Sequence, residues 1–213
     1  EAAGAEENNN ATKKDKIPTQ RIIPYVRDIR NILIFTPPTD FPQEQMPTLQ
    51  AAIQTGIVRA FQIESSEIIV EPLPNKDNRQ HILIYEAAEG GAGILRHLAE
   101  HITFMQGVAA EALAAMHYEL RDAVLYDTEQ DKPEDARCGK GCYRCLLSYY
   151  NQTEHALIDR SADETCTLLQ DMSNNQCRLE TLASASSVTN HPWLKELERR
   201  GIPAPEESNK SIA

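Results

Sequence analysis

Three cysteines within eight residues constrain this chain more than any other feature of its sequence. Cys138, Cys142 and Cys145 are separated by three and two residues, and two glycines lie between the first pair. A turn of this kind can bring three sulfurs around one ion, and Zn²⁺ is the ion that thiolates at such spacing favour. Cysteine is a rare residue, so three free thiols this close together would be an unusual coincidence. We therefore predict a structural zinc site.

The fourth ligand has several candidates. His155 follows Cys145 by ten residues, and one straight helix over that span would separate the two Cα atoms by about 15 Å, too far for a shared zinc. His155 is therefore a ligand only if the helix breaks near residues 151–153, where Asn and Thr are natural caps. The predicted metal ligands are Cys138, Cys142, Cys145 and His155, with Cys166 or Cys177 as alternatives to the histidine. The other histidines are interpreted as ordinary helix residues: His81, His97, His101, His117 and His191.

The predicted metal is structural, and we predict no catalytic residue. A catalytic zinc keeps one coordination position open beside a general base, whereas three thiolates make the ion a poor Lewis acid. Zinc deaminases also need a glutamate two residues after their first ligand, followed by Pro-Cys-x-x-Cys. Gly141 precedes Cys142, and no such glutamate is present. A metal-dependent hydrolase is therefore the least favoured function.

The net charge of -11, from 32 acidic and 21 basic residues, is unlike that of a free-standing nucleic-acid binder. One stretch differs, because residues 137–160 hold four basic and two acidic side chains. Tyr143, Tyr149 and Tyr150 lie in the same stretch and could stack on the bases of a strand. Tyrosines at such spacing belong more often to a core, and we interpret them so.

Gly90, Gly91 and Gly93 lie between a predicted strand and a predicted helix. The amides of such a turn can hold a phosphate, but neither the Walker nor the dinucleotide-binding pattern is present. Close packing of strand on helix is the simpler explanation. The candidate contacts to DNA phosphate are Gly90, Gly91, Gly93, Lys140, Arg144 and Arg160.

Hydrophobic patterning predicts an α+β fold, with a small mixed sheet, packed helices and the Cys-rich zinc-binding segment. Apolar runs predict strands over 31–35, 67–71 and 81–86, the last two joined as a hairpin. Helical spacing predicts helices over 48–61 (capped by Thr48), from 94, over 104–126 and over 153–171, with a charged loop over 127–137. Core positions are predicted at Val108, Leu113, Met116, Leu120, Ala156, Leu157, Ile158, Leu168 and Leu169.

The ends of the chain are polar. Residues 1–18 are of low complexity and are predicted to be disordered. The folded domain is predicted over 19–172, followed by a weakly structured segment over 173–213 with a short helix near 191–200. Residue 1 is Glu, and the chain has neither a signal-peptide pattern nor an apolar run of about 20 residues. We therefore expect a cytoplasmic protein, and a piece of a longer polypeptide.

Two motifs in this order resemble the MrfA-like zinc-binding domain. They are IYEAAEGGAGIL at 84–95 and CGKGCYRCLLSYYNQTEHALIDR at 138–160. That domain is found near the C-terminal end of large superfamily-two DEAD/DEAH-type helicases and in the helicase-associated protein of the DISARM anti-phage system. The resemblance covers about residues 20–170. Many members carry four cysteines, whereas the cluster here has three.

The resemblance implies a bacterial protein that works with ATP on DNA, in DNA repair or phage defence. It further implies a zinc-binding accessory domain whose partners are helicase motor domains, in the same chain or in a partner subunit, with direct DNA binding possible and no membrane contact. Helicase motifs are not present in these 213 residues. The alternative, which the negative charge favours, is a protein-interaction module of a defence complex with no direct DNA contact.

Overall fold

The computed structural model describes residues 30–88, 91–122, 124–174 and 177–178. The predictions for residues 1–18, for the short helix near 191–200 and for Gly90 lie outside these ranges.

A three-stranded antiparallel sheet forms one layer of the domain. Its strands are β1 (Ile32–Phe35), β2 (Ile68–Asn75) and β3 (Asn78–Glu86), in the spatial order β1-β3-β2. The predicted hairpin of the second and third strands is confirmed. β2 runs past its predicted end at residue 71 and through Pro72 and Pro74, because an edge strand tolerates residues without an N–H donor.

The helical layer covers one face of this sheet. Its helices are α1 (Met46–Phe61), α2 (Ile94–Glu100), α3 (Thr103–Ala115) and α4 (Asp163–Ser173). Ile68, Ile82 and Ile84 point from the sheet into the core and are fully buried. α1 begins two residues before the predicted start, so Thr48 is not its cap. The hydroxyl of Thr48 is buried and accepts a hydrogen bond from the Asp159 N–H at 2.9 Å.

The predicted helix over 104–126 is wrong in its second half. α3 ends at Ala115 and a hairpin follows, formed by β4 (Tyr118–Arg121) and β5 (Val124–Asp127). His117 and Asp122 have φ angles of 68° and 51°, and these left-handed residues begin and turn the hairpin. Val108, Leu113 and Met116 are buried as predicted, but Leu120 lies on the hairpin and is 38% exposed.

The predicted helix over 153–171 is also divided. A 3-10 helix spans Gln152–Leu157, Ile158 after it is extended, and α4 begins at Asp163. Ile158 and Leu169 are buried as predicted, whereas Ala156 and Leu157 are exposed. The charged loop over 127–137 contains two further short 3-10 helices.

The α+β class is confirmed, with antiparallel strand pairs throughout the described residues instead of a mixed sheet. Among those residues, no helix is both long and apolar enough to cross a membrane.

Candidate metal centre

Four side chains converge where α3 ends. The Nε2 of His117 and the Sγ atoms of Cys138, Cys142 and Cys145 form a group whose ligand atoms all lie within 4.8 Å of one another. Cys142 Sγ lies 3.5 Å from His117 Nε2, and Cys138 Sγ lies 3.9 Å from Cys145 Sγ. A tetrahedral zinc would separate two sulfurs by about 3.8 Å and a sulfur from a nitrogen by about 3.5 Å. The donor types and their spacing therefore fit Zn²⁺.

The backbone after Cys142 folds into a tight turn that brings Cys145 beside it. The N–H groups of Cys145 and Leu147 both donate to the Cys142 carbonyl, at 3.0 and 3.1 Å. The Cys142 N–H donates to Cys145 Sγ at 2.9 Å. An amide that points at a sulfur favours its thiolate form. A Cβ on Gly141 would lie 3.2 Å from the Leu147 side chain, so the turn leaves little room there.

His117 is held in place by its backbone and by its ring. Its N–H donates to the Ala114 carbonyl at 3.1 Å, and its own carbonyl accepts from the N–H and hydroxyl of Thr128 at 3.0 and 2.9 Å. On the ring, Nδ1 lies 3.4 Å from Glu129 Oε1. A carboxylate on one ring nitrogen leaves the other free for a metal and fixes the orientation of the ring.

Glu129 connects the histidine with the first cysteine. Its buried carboxylate accepts from Lys132 Nζ at 2.5 Å and from the Cys138 N–H at 2.7 Å. These two hydrogen bonds hold the pKa of Glu129 at about 2. Burial lowers the pKa of His117 in spite of the nearby carboxylate. The imidazole is therefore neutral at pH 7, which is the form that binds a metal.

Crowding of the three thiols favours a cation among them. Burial, reinforced by the neighbouring sulfurs, raises the pKa of Cys138 to about 12. Burial likewise raises the pKa of Cys145. Burial also opposes the ionisation of Cys142, but hydrogen bonding from the Arg144 backbone and the adjacent cysteines outweighs it and lowers that pKa. A divalent ion would offset the mutual repulsion of the thiolates and release their protons.

Arg160 is a buried residue whose hydrogen bonds support the backbone around this centre. The residue is only 5% exposed, and its Nη2 donates to Asp127 Oδ2 at 2.8 Å. Nε lies 3.3 and 3.2 Å from the carbonyls of Cys138 and Gly139, and Nη1 donates to the Met116 carbonyl at 3.1 Å. The prediction that Arg160 contacts DNA therefore needs correction, because all of its nitrogens are used inside the fold.

The structure places the predicted histidine outside the group. His155 Nε2 lies 3.0 Å from both the Ser148 carbonyl and Asn151 Oδ1. No single helix spans residues 145–155, because turns lead from Cys145 to the 3-10 helix that begins at Gln152, yet His155 contacts these two groups and is not a member of the metal-binding group. The alternatives also lie outside the group: Cys166 is buried beside the Arg160 carbonyl, and Cys177 is half-buried.

His117 was missed because no local signal marks it as a ligand. It lies 21 residues before Cys138, at the end of an alanine-rich helix. The β4–β5 hairpin that follows His117 reverses the chain, and this reversal lets the cysteines come close to the histidine ring. The strand-forming residues Tyr118, Val124 and Tyr126 are the signal that could have revealed this hairpin.

In the glycine turn before α2, the Glu86 carboxylate lies where a phosphate was predicted to bind. Glu86 is buried, and its Oε1 accepts from the Leu95 N–H at 3.1 Å, at the start of the helix. Gly91 has φ 62°, and a Cβ there would lie 1.5 Å from Glu86 Oε2. A carboxylate thus takes the place of the predicted phosphate and would repel one. The predicted phosphate contacts at Gly91 and Gly93 therefore need correction too.

Lys140 and Arg144 are exposed, as phosphate contacts must be. Lys140 Nζ lies 3.8 Å from Asp159 Oδ2, and Arg144 has no side-chain partner in the described ranges. Tyr143, Tyr149 and Tyr150 are also exposed, which contradicts their interpretation as core residues.

Comparison with known proteins adds one finding. Residues 49–146 match the family described as the MrfA Zn-binding domain, and this span includes all four members of the group, whereas His155 lies beyond it. No curated protein and no solved structure matches the chain significantly. The matched residues, the three-cysteine turn and the donor set agree on a zinc-binding function. Residues 49–146 of this chain are therefore similar to the MrfA Zn-binding domain.

Proposed function

We propose that this chain is a zinc-stabilised accessory domain of an ATP-dependent DNA helicase, and that His117, Cys138, Cys142 and Cys145 hold its zinc. The observation that carries the zinc assignment is the spacing of these four donors, which fits tetrahedral coordination. Four protein ligands would leave no open position on the ion. The zinc is therefore structural, and the domain contributes binding instead of chemistry.

The wider context rests on the family resemblance of the two motifs. We place the parent protein among bacterial, cytoplasmic helicases or translocases that act in DNA repair or in phage defence of the DISARM type. Its motor domains lie elsewhere in the same polypeptide or in a partner subunit. The accessory domain then binds DNA or a partner protein for that motor.

The net charge of -11 favours a second candidate, a protein-interaction module without DNA contact. A salt-dependent binding measurement separates the two. The zinc-loaded chain is titrated against labelled single-stranded and double-stranded DNA at low and high salt. Binding at low salt that weakens with added salt supports the DNA role. No binding to either form at low salt favours the interaction module.

Metal analysis of matched variants tests the zinc assignment. We expect about one zinc per chain in the wild type. His117→Ala should lose most of it, because the fourth donor is gone, while His155→Ala should keep it. Both variants remove one imidazole, so the pair controls for histidine loss in general. A wild-type protein without zinc would overturn the metal site, and loss only in His155→Ala would overturn the ligand set.

A further inference from the structure

Three tyrosines beside the cysteine turn face solvent. Tyr143, Tyr149 and Tyr150 are 70%, 81% and 68% exposed, and they are the most exposed aromatic side chains in the described ranges. Large aromatic rings on a surface commonly mark a binding site. Nothing in the zinc-binding role of the domain requires them there.

Hydrogen bonds among residues 146, 148 and 151 order the segment that carries the tyrosines. Asn151 Oδ1 accepts from the Ser148 N–H at 2.8 Å, and Asn151 Nδ2 donates to the Leu146 carbonyl at 2.7 Å. The Tyr143 ring stands edge-on to His155 at 5.7 Å, and the rings of Tyr149 and Tyr150 meet edge-on at 6.1 Å. Tyr149 and Tyr150 thus lie on an ordered turn directly after the cysteines, and Tyr143 lies between Cys142 and Cys145.

The charge around these rings is positive. Residues 137–153 contain Arg137, Lys140 and Arg144 and no acidic side chain, although the chain as a whole carries -11. The next carboxylate along the chain, Glu154, is buried and paired with Arg79 at 2.8 Å, and Asp159 Oδ2 lies 3.8 Å from Lys140 Nζ. We call Lys140, Tyr143, Arg144, Tyr149 and Tyr150 the tyrosine–arginine face.

We propose that the tyrosine–arginine face binds single-stranded DNA. This inference deepens the proposed function and rests on it. Unpaired bases would stack on the tyrosine rings, while Arg144 and Lys140 pair with phosphates. Bases in a duplex are already stacked on one another and cannot lie on the rings. A protein partner would also bury tyrosines, but Arg144, which has no side-chain partner in the described ranges, and Lys140, whose Nζ lies 3.8 Å from Asp159 Oδ2, match the evenly spaced negative charge of a strand.

Fluorescence anisotropy with a labelled 20-nucleotide oligo-dT tests the proposal on the full, zinc-loaded chain. The double variant Tyr149→Ala/Tyr150→Ala should bind at least about tenfold more weakly at low salt. Tyr149→Phe/Tyr150→Phe should bind like the wild type, because phenyl rings still stack. Val124→Ala, which removes a similarly exposed apolar side chain from the hairpin, should also leave binding unchanged. Zinc content confirms that each variant is folded.

Arg144→Ala tests the phosphate contact. It should weaken binding and reduce the slope of log affinity against log salt by about 0.7, the value for one lost contact on a single strand. An unchanged slope would overturn the role of Arg144.

Several outcomes would overturn the inference. Unchanged binding in the Tyr149→Ala/Tyr150→Ala protein would refute the face while leaving DNA binding by the domain intact. Tighter binding to a duplex of equal length would refute the preference for single strands. Binding to oligo-U more than tenfold tighter than to oligo-dT would assign the face to RNA. A zinc-loaded chain that binds no DNA would remove this inference and the DNA half of the proposed function, and the metal analysis would still judge the zinc site.

Discussion

At the scale of single residues, Arg160 connects several separate parts of the fold. Its guanidinium donates to Asp127 at the end of β5, to Met116 after α3 and to the carbonyls around Cys138. Its own N–H donates to the Lys140 carbonyl at 2.7 Å. The fork of nitrogens on an arginine suits this set of acceptors, whereas a lysine ammonium would satisfy only part of it.

We therefore expect Arg160→Lys to lower the free energy of unfolding by about 2–3 kcal/mol, because buried acceptors lose their donors although the charge remains. Zinc should also leave the protein faster, since the carbonyls next to Cys138 are no longer held. Denaturant unfolding and zinc release to a chromogenic chelator measure the two effects. Arg144→Lys, an exposed arginine in the same stretch, is the control and should change stability by less than about 0.5 kcal/mol. Equal effects of the two variants would contradict the inference that Arg160 stabilises the backbone around Cys138.

The zinc-ligand residues differ in whether their meeting could be predicted from nearby sequence. The three cysteines are close in sequence, so their spacing alone predicted that their sulfurs would meet. His117 joins them only because the chain reverses at Asp122, and neither His117 nor Asp122 is the glycine that normally announces a left-handed turn. Glu129, which orients the histidine, lay in a segment interpreted as a charged loop.

Among the elements, α1 and α3 approach each other closely at Gly56. A Cβ on Gly56 in α1 would lie 2.3 Å from the Val108 carbonyl and 3.0 Å from the Ala112 Cβ in α3. The helices come this close because Gly56 has no side chain and Ala112 has only a methyl group. A Cβ on Gly107, the exposed glycine of α3, would have no neighbour within 4 Å.

These two glycines give a matched pair of substitutions with opposite expected signs. Gly56→Ala should destabilise the domain by about 1–3 kcal/mol, because the added methyl forces the helices apart. Gly107→Ala should stabilise it by about 0.5–1 kcal/mol, since alanine is the better helix former and meets no neighbour. Thermal and denaturant unfolding of the zinc-loaded proteins measure both. Stabilisation by Gly56→Ala would mean that the two helices are not in contact there.

The elements were predicted best where a long apolar pattern decided them. α1 and the β2–β3 hairpin match their predicted positions within a few residues. The pattern failed after α3, because an alanine-rich helix and a following hairpin can share the same apolar spacing. After α3 the secondary structure is determined by tertiary contacts, above all by the two hydrogen bonds from Thr128 that fix the His117 carbonyl.

At the scale of the whole molecule, the chain beyond residue 146 packs back on the elements before it. The N–H and hydroxyl of Thr165 in α4 donate to Gln45 Oε1 at 3.0 and 3.2 Å. Leu169 and Met172 of the same helix are buried in the common core. The folded unit therefore extends past the family match to α4.

Glu154 is the charged member of this long-range packing. Its carboxylate, on the 3-10 helix after the cysteine turn, accepts from Arg79 of β3 at 2.8 Å and lies 3.1 Å from Lys76 Nζ. Burial alone would raise the pKa of Glu154, but the hydrogen bonds from Arg79 and Lys76 outweigh it and lower the pKa below its ordinary value of 4.5. The folded state thus prefers the ionised form.

This preference predicts a pH dependence with a definite sign. The stabilisation from Glu154 is fully present above its unfolded pKa, near 4.5, and is lost as the pH falls through the lower folded pKa. At pH 7, Glu154→Gln should reduce the free energy of unfolding by about 1–3 kcal/mol, because buried Arg79 loses its charged partner. The difference between wild type and variant should stay constant down to about pH 5 and shrink below it.

Urea unfolding of both proteins from pH 7 to pH 3.5 measures that difference. Acid also weakens zinc binding by protonating the ligands, but it does so in both proteins, so the difference between them isolates Glu154. Glu164→Gln, at an exposed position in the first turn of α4, is the control and should follow the wild type closely. The contrary result is a difference in free energy of unfolding between wild type and Glu154→Gln that is as large at pH 3.5 as at pH 7. That result would show that the shape of the side chain stabilises the contact between the β2–β3 hairpin and the segment after the cysteine turn, and that its charge does not.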